Sequence, residues 1–527
     1  MQGKKKFTPK LFQSIDLQSL VPENNFYRRL NKLLDLRWLY KATLKYYGSE
    51  GQESIDPVVF FKICLIGYLN SIHSDRKLVA FCKDSLSIRL FLGYDIDEEL
   101  PWHSTISRTR HLYSEEEFKA LFEKVFSMCA GSGMVSGKTQ AIDGALLKAN
   151  ASKDSLEVKQ VNETIEEYLL QNIKANGEAR RPAKHNKAAD DDKRMKGDDE
   201  EQRRDLNELN TRYRRQEENY KDMPGDDKGK YLSNKTHYSP TDPDSRIAVK
   251  PGKPRDLYYN GQIAVDAKQH VITHAQTFKA EGKDGWYLQE VIQQIKERLE
   301  SHSLEIKQCL ADAAYSSGEN YQYLNNQNIE AYIPLLGGAL SGSEGFVYDE
   351  KNDWYVCPNN KVLKGSGREV DDGRGHPVRK YFSLKSDCDK CPVRHTCITE
   401  KAKTKKVQHS IYKKELEEAI ARQQSIKGRV MKRKRSATVE PVWGTLINFL
   451  GLRRMTSRGL KCANQALLMA AACYNLKKYM KHITQKVKTV VMSLYKTEEA
   501  SFVKRFFCTM LITKQIRTKI NPSFSYS

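Results

Sequence analysis

Gln140-Ala141-Ile142-Asp143-Gly144-Ala145-Leu146-Leu147-Lys148-Ala149-Asn150 is the stretch on which the fold turns. It reads as a short apolar strand that ends on a carboxylate, turns at Gly144 and leaves with a basic residue. An acid at the C-terminal end of a strand points into the crevice where open α/β sheets hold ligands. Two later stretches repeat the theme, Cys309-Leu310-Ala311-Asp312 and Thr438-Val439-Glu440-Pro441. Together the three acids make an argument that none makes alone.

Working downstream, residues 261–266 and 271–275 read as a hairpin around Ala267 to His270. Residues 284–300 have the apolar spacing of an amphipathic helix. Residues 305–311 form the next strand, ending at Asp312, and Ser316-Ser317 cap the helix after it. The string strand, hairpin, helix, strand, helix is α/β (α+β) with a mixed sheet.

Working upstream, residues 7–130 are mostly helical. Pro22-Glu23-Asn24-Asn25 is a turn before a helix over 26–40. Asp56 caps a second helix with Pro57 at its first position. Ser74-Asp75-Arg76 begins a third. Ser104 or Thr105 caps a fourth, which carries Arg108 and Arg110. Short helices with basic first turns suit DNA phosphates, and a plain helical domain is the equal alternative from the pattern alone. Ser136-Gly137-Lys138-Thr139 resembles the end of a phosphate loop, but Ser132 stands where the upstream glycine is required, which excludes nucleotide binding there. Residues 153–230 are charged and poor in large apolar side chains. They read as an inserted arm, with helices at 165–173 and 203–220 and a disordered stretch at 184–202.

The 527 residues carry 88 Lys+Arg against 66 Asp+Glu, a net charge of +22. That excess suits a polyanionic partner, above all nucleic acid; a soluble protein with a basic tail is the bland alternative. Met1-Gln2-Gly3-Lys4-Lys5-Lys6 is followed by no apolar segment of a signal peptide. The apolar run at 57–72 is interrupted by Lys62 and too short to span a bilayer. The expectation is a cytoplasmic protein with no membrane partner. Eleven cysteines in such a chain point to reduced thiols or a metal.

Cys357, Cys388, Cys391 and Cys397 fall in one glycine-rich stretch. Two residues separate Cys388 from Cys391, the spacing of a zinc knuckle. A single structural Zn²⁺ is expected here, with His395 as a substitute ligand. A metal-free Cys-rich loop and redox chemistry are the alternatives. Cys64, Cys129 and Cys473 sit in apolar runs and read as core.

Around the third acid, Lys432-Arg433-Lys434-Arg435 precedes it and Arg453, Arg454 and Arg458 follow. Thr438 reads as the cap of a helix through Phe449, with Glu440 and Pro441 in its first turn. The alternative is a carboxylate that merely caps. Three carboxylates are hard oxygen ligands suited to Mg²⁺ or Mn²⁺. Two such ions clamp the attacking and leaving oxygens of a displacement at phosphorus. The surrounding Arg and Lys would hold DNA phosphates.

In these residues the chain resembles the bacterial insertion-sequence transposases of the DDE class, which have a ribonuclease-H-like core. The head resembles their N-terminal domain at Ile55-Asp56-Pro57-Val58-Val59, Ser74-Asp75-Arg76-Lys77-Leu78 and His103-Ser104-Thr105-Ile106-Ser107. The core does so at Thr241-Asp242-Pro243-Asp244, Tyr259-Asn260-Gly261-Gln262 and Ala311-Asp312-Ala313-Ala314-Tyr315-Ser316. The end does so at Glu440-Pro441-Val442-Trp443-Gly444 and Arg458-Gly459-Leu460. The resemblance implies that Asp143, Asp312 and Glu440 bind two metal ions, and that the chain cuts and joins DNA as a homodimer on paired element ends, with target DNA as the second substrate. Relatives often place a Tyr and an Arg just before the Glu and a Lys after it. Here Arg433 and Arg435 stand at other offsets and Ile447-Asn448 replaces the Lys, so Arg453 and Arg454 are the expected substitutes. The implied layout is a helical DNA-binding domain at 1–135, a core at 136–335 with a charged insertion at 153–232, a Cys-rich insertion at 336–410, the rest of the core at 411–480 and a basic tail at 481–527. A DNA-binding repressor without catalysis and a stand-alone metal-dependent nuclease are the rival readings.

Overall fold

The structure, a computed structural model, describes residues 16–48, 50, 54–158, 232–234, 237–335, 345–371 and 377–494. The arm helices expected at 165–173 and 203–220, the disordered stretch at 184–202 and the tail beyond residue 494 lie outside the described residues.

The head is helical: α1 (Leu17–Leu20), α2 (Phe26–Leu33), α3 (Trp38–Thr43), α4 (Pro57–Leu69), α5 (Asp75–Asp84), α6 (Leu86–Leu92), α7 (His103–Leu112) and α8 (Glu115–Gly131). The Asp56 carboxylate caps α4, accepting the Val58 and Val59 N–H groups at 2.6 and 3.1 Å. α4 is apolar all round and correspondingly buried, with Phe60, Phe61, Leu65 and Ile66 fully enclosed. The single helix expected over 26–40 is two. Asp35 accepts the Arg37 N–H at 3.0 Å, a local bond that competes with helix continuation. At α7 neither Ser104 nor Thr105 caps; Trp102 occupies that position without a side-chain hydrogen bond.

The main sheet contains β1 (Thr139–Lys148), β4 (Arg246–Ala248), β5 (Asp256–Asp266), β6 (Ile272–Lys279), β7 (Gln308–Leu310) and β8 (Glu330–Tyr332), while β2 (Glu157–Val158) pairs separately with β3 (His237–Tyr238). β5 pairs antiparallel with β1 on one edge and with β4 and β6 on the other. β1 and β8 flank β7 in parallel. This β6-β5-β1-β7-β8 order is the mixed sheet of a ribonuclease-H-like core. α9 (Leu288–Glu300) connects β6 to β7 and α10 (Gly318–Asn326) connects β7 to β8.

Asp143 does not end its strand, and Gly144 is not a turn. β5 pairs with β1 all the way from Gln140 to Lys148, and that long partner carries the strand through. Only the β7 side stops, at Ala141. Asp143 therefore stands where one neighbour ends and the other continues. Gly144 serves close approach: a methyl group there would collide with the Gln262 amide and the Asp284 carboxylate.

After β8 comes a second, antiparallel sheet in the order β13-β12-β11-β10-β9: β9 (Val347–Asp349), β10 (Trp354–Val356), β11 (Val362–Asp371), β12 (Pro377–Phe382) and β13 (Lys406–Ser410). The short helices α11 (Lys385–Asp389) and α12 (Arg394–Cys397) lie between β12 and β13. The chain then returns through α13 (Lys413–Gln424), α14 (Ile426–Phe449) and α15 (Leu460–Leu494).

α14 begins at Ser425, whose hydroxyl caps Gly428 N–H at 2.9 Å, so Thr438, Glu440 and Pro441 lie inside it. An interior proline removes one helical hydrogen bond. Burial of Thr438, Val439, Val442 and Leu446 against the sheet holds the helix together across that gap. α15 packs on α4, α8 and β6. It covers the edge of β6, where the Asn475 side chain accepts the Ile272 N–H and donates to the Ile272 carbonyl, both at 2.9 Å. Head, sheet and α15 share one hydrophobic cluster that includes Phe60, Phe122, Leu147 and Leu468.

Candidate active site

The register Thr139 to Gln308 and Ala141 to Leu310, carried two residues further, sets Asp143 against Asp312. Beyond that last pair the two acids are near enough for the Asp312 charge to raise the Asp143 carboxyl. Asp312 holds its backbone turn by accepting the Ala314 N–H at 2.9 Å. Glu440 arrives from α14, which packs on β1. Trp443, three residues on and so on the same helix face, donates its indole N–H to the Asp143 carbonyl at 3.4 Å.

Arg435 ties the site together. Its guanidinium lies 3.0 Å from the Glu440 carboxylate and 4.0 Å from that of Asp143, and its side chain is only 16% exposed. Burial pushes the Asp143 carboxyl up to about 6, and the charge of Asp312 adds to that; Arg435 and Lys250 oppose it. Among the described residues, no group of three or more His, Cys, Asp or Glu side chains closes on a common point as a metal site does.

Two family models match the chain. The Transposase domain (DUF772) covers residues 15–112, the helical head. The Transposase DDE domain covers residues 356–480, from the end of β10 in the second sheet through Glu440 into α15. Together the two matches support an insertion-sequence transposase of the DDE class. Asp143 and Asp312 lie outside both matched ranges, and Asp143 is linked to Glu440 through Arg435. No curated protein matches the chain.

The other cations are placed unevenly. Arg453, Arg454 and Arg458 are exposed on the loop between α14 and α15. Arg454 bridges to Lys148, five residues along β1 from Asp143, or about 17 Å at ~3.4 Å per residue. Arg435, rather than Arg453 or Arg454, is thus the arginine against the acids. Arg433 and Arg108 are exposed. Arg110, expected to face DNA, is instead paired with Asp75 at 2.8 Å with both side chains mostly buried, and so joins α7 to α5.

Cys357, Cys388, Cys391 and Cys397 all line one cavity of about 450 Å³ beneath the second sheet, and His395 is not among its lining residues. Cys357 Sγ accepts the Lys361 N–H at 3.3 Å, and Ser383 Oγ lies 3.0 Å from Cys388 Sγ. Cys64, Cys129 and Cys473 are buried core residues. Among the described residues no helix is long and apolar enough to cross a membrane.

The polar side chains behind Asp143 were given no role from sequence, although Asn260, Gln262 and Tyr315 lie in stretches that carry the resemblance. Asp284, Lys250, Asn260, Gln262 and Tyr315 form one network under Gly144. The available signal was Asn260 and Gln262, two polar residues on one face of an otherwise apolar strand.

Proposed function

We propose that the chain is a divalent-metal-dependent transposase that binds the terminal inverted repeats of its own element, hydrolyses a phosphodiester at each end and transfers the freed 3′-hydroxyl end to target DNA. The observation that carries this reading is the Asp143–Asp312 pair beyond the end of β7, with Glu440 linked to Asp143 through Arg435. The donor set fits Mg²⁺ or Mn²⁺: hard carboxylate oxygens, two of them close enough to repel. The cation now lodged between Asp143 and Glu440 is a guanidinium, which shows the electrostatic demand of the place. Asp143, Asp312 and Glu440 would hold two ions, which when bound supply activation of the attacking oxygen and stabilisation of the leaving one.

The protein's own residues bring the DNA there. Arg435 is held at the acids and, once they are otherwise neutralised, its planar fork suits a phosphate. Arg433, Arg453, Arg454 and Arg458 are exposed cations in reach of α14, suited to backbone contacts that position the duplex without reading it. Trp443 fixes α14 against β1 and so keeps Glu440 in place. A homodimer follows from the need to process two ends together. In the second sheet, four thiols around one cavity with N–H and O–H donors beside them suit one structural Zn²⁺.

The test is an assay with end-containing DNA and a plasmid target in Mg²⁺. Wild type should nick the ends and yield joined products, and Asp143→Ala should bind ends without cutting them. Cleavage without joining would leave a nuclease. Binding with no metal-dependent nicking by the wild type would leave a repressor.

A further inference from the structure

The network under Gly144 is built more tightly than support of a strand requires. Asp284 is nearly buried. Its Oδ1 accepts from Asn260 at 2.8 Å and Gln262 at 3.1 Å, and its Oδ2 accepts from Lys250 at 2.7 Å. The Tyr315 hydroxyl donates to Gln262 Oε1, which commits that amide's nitrogen to donating, and Asn260 Oδ1 accepts from the same nitrogen at 3.0 Å. Every heavy-atom role in the network is thereby fixed, and the Asp284 carboxylate has one orientation.

What this fixes is Lys250. Its ammonium also donates to the carbonyl of Gly144, the residue directly after Asp143, at 3.1 Å. An ammonium carries three N–H groups. Two are engaged; the third has no acceptor among the described residues, and the side chain keeps 35% exposure. Paired acids repel a phosphodiester, and a cation held on the residue next to Asp143 offsets that without reorganisation at the moment of reaction.

We infer that Lys250 is a substrate-contacting residue of the acid cluster, its free N–H taking a non-bridging oxygen of the phosphodiester, with Asp284, Asn260, Gln262 and Tyr315 as the positioning residues that aim it. This rests on the phosphodiester reading of the site. Lysine acts here as a point charge on phosphate, which predicts both a rate effect and one fewer counterion released on binding.

The test uses the full chain and a duplex carrying the element's own terminal repeat. Single-turnover cleavage in Mg²⁺ and the salt dependence of binding in Ca²⁺ are measured for wild type, Asp143→Ala, Lys250→Gln and Lys250→Arg. The expected result is that Lys250→Gln slows cleavage on the order of tenfold to a hundredfold and lowers the slope of log affinity on log salt by about 1. Lys250→Arg should restore the slope. Should Lys250→Gln fail to fold, the double variant Asp284→Asn with Lys250→Gln takes its place, because it orphans no buried charge. Wild-type rate and slope in a folded Lys250 variant, with Asp143→Ala inactive, would overturn the inference and leave the site reading intact. A lowered rate with an unchanged slope would also overturn it, as a purely structural role. Wild type that does not cut, or Asp143→Ala that does, would overturn the site reading and the inference with it.

Discussion

Asp143 and Asp312 each lie two residues beyond Ala141 and Leu310, the last pair of two neighbouring parallel strands, at the point where β7 ends and β1 runs on. Burial, and then the Asp312 charge, raise the Asp143 carboxyl from 3.8 to about 6. The folded chain therefore holds a proton there that the unfolded chain has released. That contribution to stability is complete below about pH 3.8 and lost as pH rises through about 6. At pH 8 in chelator, Asp143→Asn should melt higher than wild type, by up to about 3 kcal/mol, while near pH 4 the two should converge. Mg²⁺ should raise the wild-type melting temperature at pH 8 and leave Asp143→Asn unchanged. A variant less stable than wild type at pH 8 would contradict the electrostatics assigned to this pair.

Arg435 sits between Asp143 and Glu440 and so has two roles to lose. Without DNA it competes with metal for the acids, and Arg435→Ala should bind Mn²⁺ more tightly by titration. With DNA the guanidinium is expected on the phosphate, and the same variant should cleave ends on the order of a hundredfold more slowly. Arg435→Lys keeps the charge but not the planar fork, and should recover only part of the rate. Unchanged cleavage in Arg435→Ala would remove it from the phosphate.

These relationships were legible in the sequence to different depths. The start of the strand at residue 140, the hairpin after residue 261 and the caps at Asp56, Ser74 and Ser317 all follow from local pattern. The mid-strand position of Asp143 did not, because it depends on β5, more than a hundred residues away in the chain. Thr438 and Pro441 read as a helix start because both types favour that place; packing of Val439, Val442 and Leu446 overrode it. Arg110 and Asp284 show the limit most clearly. A charged residue looks solvent-facing in sequence, and only tertiary structure brings Asp75 to the first and Lys250 to the second.

His274, on β6, is fully buried, and neither ring nitrogen has a partner. Burial holds its pKa well below the usual 6.5, with Arg298 and Lys119 acting in the same direction. Below pH 6.5 the unfolded chain takes up a proton that the folded chain refuses, so stability present above that pH is lost as pH falls. His274→Leu removes both the orphaned nitrogens and the proton uptake. It should stabilise the protein by about 1–3 kcal/mol at pH 8, and by more at pH 5.5, in denaturant melts. A smaller gain at pH 5.5 than at pH 8 would argue against a neutral, unpartnered imidazole.

The four cysteines around the cavity of the second sheet give the last prediction. Burial pushes the Cys397 thiol up, and the neighbouring Cys388, Cys391 and Cys357 add to that, with Lys405 opposing. Zinc binds the thiolate form, so its binding here displaces the proton that burial favours on Cys397. Protein purified without chelator should carry about one zinc per chain by elemental analysis. Its thiols at this cavity should resist a thiol reagent until the metal is stripped. Cys388→Ser with Cys391→Ser should lose the metal and lower the melting temperature. Because this cavity is separate from Asp143, the variant's remaining folded fraction should still bind Mg²⁺. Fast thiol modification of untreated protein together with absent zinc would leave a metal-free pocket, held by the Tyr348, Tyr355 and Tyr381 cluster beside it.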